Sequence, residues 1–116
     1  MNTSVLLIDE PQEGIRRLTM NRPEKHNALN DDLRLAIFEK LRDADSDKDV
    51  SVIVIRGAGE SFCSGYDLSS VNNPVERTTA TMDGWWSRHV VANWFEMWDM
   101  SKPIIGQVHG LSLIHI

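Results

Sequence analysis

V-S-V-I-V-I-R-G-A-G-E-S-F-C-S-G-Y-D-L, residues 50–68, is the stretch on which the fold turns. Residues 50–55 are almost continuously β-branched, the pattern of a strand covered on both faces by other elements. Residues 57–70 form a loop that carries three glycines, Gly57, Gly59 and Gly65. The loop leaves a buried strand, is built from the small residues Ser61, Cys63, Ser64 and Gly65, and enters a helical turn at Asp67. A strand-to-helix corner of this kind leaves backbone N–H groups without intrahelical partners, open to an anion. Gly65 permits a ligand to approach the backbone closely. These are the ingredients of a backbone oxyanion hole, which acts where negative charge develops on a carbonyl oxygen. The same residues also fit a plain β-to-α turn capped by Asp67, and on their own they leave both readings open.

Upstream, residues 5–8 and 15–20 are short apolar runs on either side of the polar turn D-E-P-Q-E-G, which predicts a hairpin. Residues 21–29, N-R-P-E-K-H-N-A-L, have no period and read as a loop. Asn30 is a good N-cap, and Asp31 and Asp32 complement the dipole of a first helical turn. Leu33, Ala36, Ile37, Leu41 and Ala44 then recur mostly at helical spacing, which predicts a helix over 31–44. Strand, helix, buried strand and Gly-rich loop is a β-α-β order, so the fold class is α/β. Downstream, residues 71–81 are polar and Thr-rich and read as a mobile excursion. Residues 83–100 read as a helix with an apolar face of Trp86, Val90, Trp94, Met97 and Trp98. That face suits a core or a pocket wall better than a carbohydrate or nucleic-acid platform. Lys102-Pro103 ends the helix, and residues 104–108 read as a further strand.

The bulk properties exclude several classes. A chain of 116 residues is one domain or a piece of one. A net charge of −5 without a Lys/Arg stripe argues against nucleic acid. No apolar run approaches the ~20 residues needed to cross a bilayer, so no membrane partner is expected. The N-terminus lacks the basic and apolar regions of a signal peptide. The single cysteine, Cys63, rules out an intramolecular disulfide and fits a reducing, cytoplasmic setting. His109 and His115 have no cysteine or carboxylate partner nearby, so no metal site is expected. In the loop at 21–29, Arg22, Lys25 and His26 place basic groups beside a Pro-stiffened turn. Such a cluster suits a phosphate, and it equally fits a solvated basic loop.

Three blocks occur in order: N-R-P-E-K-H-N-A-L-N at 21–30, V-I-V-I-R-G-A-G-E-S-F-C-S-G-Y-D-L at 52–68, and K-P-I-I-G-Q-V-H-G at 102–110. Together they resemble the N-terminal half of the enoyl-CoA hydratase/isomerase (crotonase) family. The resemblance implies a ClpP/crotonase-like spiral of β-β-α units. This chain would then be a single partial domain over 1–116, its C-terminal half absent, from a parent that forms a homotrimer or a dimer of trimers. It implies an acyl-CoA or enoyl-CoA as substrate and no further cofactor. Carried over by position, Lys25, His26 and the backbone of Ala28 would contact coenzyme A. The backbone N–H of Tyr66 would be one oxyanion donor, with Ser64, Gly65, Asp67 and Leu68 lining the same site. Trp85, Trp86 and Phe95 would border the acyl chain.

The chain departs from the family after its third block. There the family continues through three mostly apolar residues to a run of glycines and then a glutamate. This chain reads Gly110-Leu111-Ser112-Leu113-Ile114-His115-Ile116, placing His115 where the second oxyanion glycine belongs. One oxyanion donor is typically worth ~3 kcal/mol of transition-state stabilisation, and absent acid/base groups remove a further ~100- to 10,000-fold. The expectation is therefore that this polypeptide is inert alone, its S-L-I-H-I tail reading as a truncation or a foreign joint. Two alternatives remain open: another crotonase-family reaction, such as thioester hydrolysis, dehalogenation or decarboxylation, and a non-catalytic acyl-CoA binding module.

Overall fold

A hairpin begins the sheet. In the computed structural model, which describes residues 5–65, 91–110 and 112, β1 (Leu6–Gln12) pairs antiparallel with β2 (Ile15–Met20). Leu6 and Ile8 lie opposite Met20 and Leu18. β1 runs on through residues that read as turn in the sequence. Asp9 sits directly across from Arg17, whose guanidinium holds its carboxylate and keeps that carboxyl below the usual range. The ladder slips between Asp9 and Gln12, around Pro11, which has no N–H to donate and is tolerated on an edge strand.

β2 pairs in parallel with β3 (Val52–Gly57), and β3 in parallel with β4 (Ile104–Gln107), giving the order β1-β2-β3-β4. The crossover from β2 to β3 is α1 (Asp31–Ser46). Its N-cap forms as expected: Asn30 Oδ1 accepts from Leu33 N–H at 2.9 Å. Leu33, Ile37, Phe38, Leu41 and Ala44 bury one stripe of α1 in a single cluster with Leu6, Leu18, Met20, Ile53 and Ile55.

β3 corrects one expectation. Ile53, Ile55 and Gly57 are buried, while Val52, Val54 and Arg56 are only half-buried. Among the described residues, α1 packs the first face. The second is partly covered, and there Arg56 Nε donates to Thr19 Oγ1 at 2.9 Å. A β-branched run looks the same on both faces, so the sequence alone does not separate the packed one from the open one.

α2 (Ala92–Trp98) is the described part of the helix expected over 83–100; Trp86 and Val90 lie outside the described residues. It docks on α1 through an edge-to-face contact between Phe38 and Trp94, ring centroids 4.9 Å apart, and a two-pronged pair in which Arg42 Nε and Nη2 donate to Glu96 at 2.6 and 2.7 Å. The link to β4 is tied to the C-terminal end of α1. Ser101 Oγ and the N–H groups of Ser101 and Lys102 all reach Asp45 Oδ1. Lys102 Nζ donates to Ala44 O at 2.8 Å and also to Asp47 O. The last turn of α1 contains no basic residue of its own, so Lys102 supplies the cation that a helix C-terminus favours. Lys102→Met is expected to lower unfolding stability by about 2 kcal/mol, the worth of hydrogen bonds to a charged group. A urea midpoint shifted by no more than an ordinary surface substitution would contradict that role for Lys102.

The ion pairs also set the response to acid. Arg42 holds the Glu96 carboxyl below its usual range, and the Asp49 N–H followed by Arg16 does the same for Asp47. A carboxyl depressed in the folded state stabilises above its unfolded pKa and loses that contribution as pH falls through the folded value. Stability is therefore expected to be flat near neutrality and to decline below about pH 4, the ordinary carboxylate range. Arg42→Ala frees Glu96, so the acid decline should be shallower in the variant. An exposed pair contributes at most about 1 kcal/mol. Equal acid slopes in urea titrations of the two proteins would show that the pair does not act in solution.

Candidate functional site

Residues 21–29 fold tightly. Pro23–Lys25 makes one 3-10 turn, and His26 and Asn27 follow it at φ 52° and 55°, the left-handed region. Asparagine is among the few side chains that tolerate this conformation, and Asn27 is fully buried there. Its Oδ1 accepts from Arg22 N–H at 2.7 Å, while Nδ2 donates to Ala58 O at 3.0 Å and Ser61 O at 2.9 Å. The Arg22 guanidinium donates to Ala28 O, closing the loop on itself.

The Gly-rich loop is stitched to this one and to the segment after β4. Ser64 N–H donates to His26 O at 3.0 Å, and Leu29 N–H to Gly65 O at 2.7 Å. His26 Nδ1 lies 3.0 Å from Ser61 Oγ. On the other side, Phe62 N–H donates to His109 O at 2.9 Å, and Cys63 forms a parallel bridge with Ser112. His109 Nε2 lies 3.0 Å from Gly59 O; a carbonyl only accepts, so the ring donates from Nε2. Residues 61–65 are thus a short ribbon at the C-terminal end of β3, bonded along both sides. Gly57 starts the turn into it, where a Cβ would lie 2.5 Å from Ser61 O and closer still to Phe62 O.

Beside the ribbon lies a cavity of about 990 Å³. Its walls include Met20 and Ile55 from β2 and β3, Cys63 and Gly65 from the ribbon, and Trp94 and Met97 from α2. It runs from the carboxyl end of β2 at Met20, past the ribbon, to the start of β4 at Ile104. The lining is almost entirely apolar. Ser101, Lys102 and Ser112 are its polar members, and no carboxylate lines it among the described residues. Burial pushes the Cys63 thiol up, opposed by the Gly65 N–H directed at its sulfur, so it stays protonated and is a poor nucleophile. Among the described residues, no group of three or more His, Cys, Asp or Glu side chains comes together as a metal site.

The expected site residues divide by place. Lys25 and His26 are exposed on the 3-10 turn, and Ser64 is exposed where the two loops meet. Ala28 is buried, its N–H donated to Lys25 O and its carbonyl bonded by Arg22. Gly65 is buried in the cavity wall at φ 110°, with its carbonyl anchored by Leu29. Tyr66, Asp67, Leu68, Trp85, Trp86 and His115 lie outside the described residues. Phe95, expected beside an acyl chain, faces outward at 62% exposure and does not line the cavity. Trp94 and Met97, half-buried and three residues apart, turn that way instead; Trp98 reaches the cavity while 83% exposed, and Phe95 is rotated about 100° from Trp94. Asn27 and His109 were not singled out by sequence reasoning as ties between loops. The one available signal was an asparagine inside an aperiodic loop, where left-handed backbone is common for that residue.

A family description, Enoyl-CoA hydratase/isomerase, matches residues 10–113. A probable peroxisomal enoyl-CoA hydratase 1 of Arabidopsis thaliana is 28% identical over 97% of this chain and 40% of its own length. The mitochondrial Delta(3,5)-Delta(2,4)-dienoyl-CoA isomerase of Mus musculus is 26% identical over 94% of this chain and 36% of its own. The crystal structure of a probable enoyl-CoA hydratase/isomerase from Mycobacterium abscessus superposes with a TM-score of 0.74 at 33% identity, covering 92% of this chain and 40% of that one. The chain thus spans about 40% of the length of the proteins it matches.

Proposed function

The chain belongs to the enoyl-CoA hydratase/isomerase family, and from that premise we propose that its stitched loops bind a coenzyme A thioester. The Tyr66 backbone N–H donates to the thioester oxygen. The acyl chain enters the apolar cavity, Lys25 and His26 meet the phosphates, and the Ala28 carbonyl, which already accepts from Arg22, keeps a second lone pair for a donor on the adenine. Ser64, Asp67 and Leu68 line the path between. The observation that carries this reading is Gly65: it forms part of the cavity wall while its carbonyl is anchored to Leu29 N–H. A planar peptide directs its N–H opposite its C=O, so a carbonyl anchored toward the first loop is the arrangement a Tyr66 donor requires. Donors held by a rigid backbone stabilise developing charge without reorganising at the moment of reaction.

In a full-length member of the family the thioester would become enolate-like. Hydration then places hydroxide on C3 and a proton on C2, whereas isomerisation moves a proton along the chain. Both need an acid or base, and no carboxylate lines the cavity among the described residues. Among the described residues the site can therefore bind and polarise a thioester but offers no acid or base for turnover. The same observation favours, as a second reading, a non-catalytic acyl-CoA binding module. Trimeric assembly of a full-length member belongs with this proposal. So does a cytoplasmic location, which rests on the lone cysteine Cys63, whereas the relatives above carry peroxisomal and mitochondrial designations.

The test is a tryptophan-fluorescence titration of the purified chain with butyryl-CoA, alongside a crotonyl-CoA hydration assay. Saturable quenching with no hydration above buffer is expected. Absence of binding at millimolar ligand would overturn the thioester reading, and turnover would overturn the inertness.

A further inference from the structure

Asn27 does no chemistry, yet it sits where the two ligand loops are joined. It is fully buried, and its side chain uses one acceptor bond and two donor bonds to hold three backbone groups. Arg22 N–H belongs to the first loop, and Ala58 O and Ser61 O to the second, so one amide group spans both. The two inter-loop backbone bonds, Ser64 N–H to His26 O and Leu29 N–H to Gly65 O, flank it in sequence on the first loop and follow its partners on the second. His26, next to Asn27, adds the contact to Ser61 Oγ. No other residue type meets the same demands. Aspartate would present oxygen to two carbonyl oxygens, and the left-handed backbone at φ 55° excludes most larger side chains.

The geometry points to Asn27 as a positioning residue that sets the height of the Gly65 peptide relative to the first loop, and so fixes where a thioester oxygen meets its donor. This rests on the thioester reading above. The side chain acts through the ribbon: it fixes Ala58 O and Ser61 O, and the ribbon carries that placement to Gly65. Asn27, Ala58 and Ser61 lie outside the packed cluster of α1 and the sheet, to which the two loops contribute Leu29 and Cys63. Loosening the Asn27 tie should therefore disturb the site more than the core.

Asn27→Gly isolates the side chain, because glycine adopts positive φ at no steric cost. The first readout is amide hydrogen exchange of the whole chain without ligand. Losing two or three buried hydrogen bonds should speed exchange at Leu29, Phe62 and Ser64 by about tenfold or more beyond any change at Leu18 and Ile53, which register only the loss of global stability. Uniform acceleration that includes the β2 and β3 amides, or no acceleration at all, would overturn a positioning role. The second readout is the affinity ratio of butyryl-CoA to its thioether analogue, which lacks only the carbonyl oxygen. A wild-type preference for the thioester that falls toward one in Asn27→Gly is expected. A preference kept intact in the variant would overturn the inference. Absence of any preference in the wild type would instead overturn the thioester reading, and the exchange result would still decide the role of Asn27. Asn27→Asp, which keeps only the bond from Arg22 N–H, should match or exceed the glycine variant in both readouts.

Discussion

Gly57→Ala should be severely damaging where β3 enters the loops, lowering stability by about 3 kcal/mol and abolishing acyl-CoA binding. Gly57 ends β3 in the buried face of the sheet. An added Cβ would stand 2.5 Å from Ser61 O and 2.7 Å from Asn27 Nδ2, with Phe62 O nearer still. Two of these neighbours are backbone atoms of the ribbon and cannot swing aside as a flexible side chain would. The third is the amide that ties the loops together. Overpacking alone costs about 1–3 kcal/mol, and each hydrogen bond displaced from Asn27 adds about 1 kcal/mol. A domain of this kind has only about 5–15 kcal/mol in total. Urea unfolding and butyryl-CoA titration of the variant measure both effects. A wild-type midpoint with wild-type affinity would mean that the turn is not as tight as described.

Phe38→Ala should cost about 3–5 kcal/mol, the usual range for emptying a buried aromatic site. Phe38 is 1% exposed and touches both the sheet-facing cluster and Trp94. Deleting the ring opens a void under α1 and removes the edge-to-face pair, itself worth about 0.5–1.5 kcal/mol. The Arg42–Glu96 pair that remains is exposed and too weak to hold α2 alone. The variant should therefore unfold at lower urea and expose the α2 amides to exchange before those of β3. Phe95→Ala is the control, because an outward-facing ring should change stability by no more than about 0.5 kcal/mol. Equal losses in the two variants would show that α2 is not docked through Trp94.

What the sequence displayed, and what it hid, follows from where the information lies. α1 was legible because its N-cap, its acidic first turn and its apolar stripe are all local, and the structure extends it only from Ala44 to Ser46. The parallel pairing of β2 and β3 followed from the intervening helix. The far half of β1 was hidden, since a cross-strand Asp9–Arg17 pair makes strand out of residues that look like turn. The packed face of β3 was hidden for the converse reason, that valine and isoleucine fill both faces alike. Both loops of the candidate site were visible through their glycines, proline and basic residues. Their union was not, because it runs through backbone carbonyls and through one amide side chain reaching partners more than thirty positions away. A backbone donor has no side-chain signature, so a site built from amides is seen in sequence only through the small residues that permit it.

The central claim is that this site polarises a thioester carbonyl, and carbon-13 NMR of butyryl-CoA labelled at that carbonyl tests it most directly. On binding to the 116-residue chain the labelled resonance should move downfield from its free position, as expected for an oxygen accepting a hydrogen bond from a fixed amide. Saturation of the site with the carbonyl resonance unmoved would contradict the account.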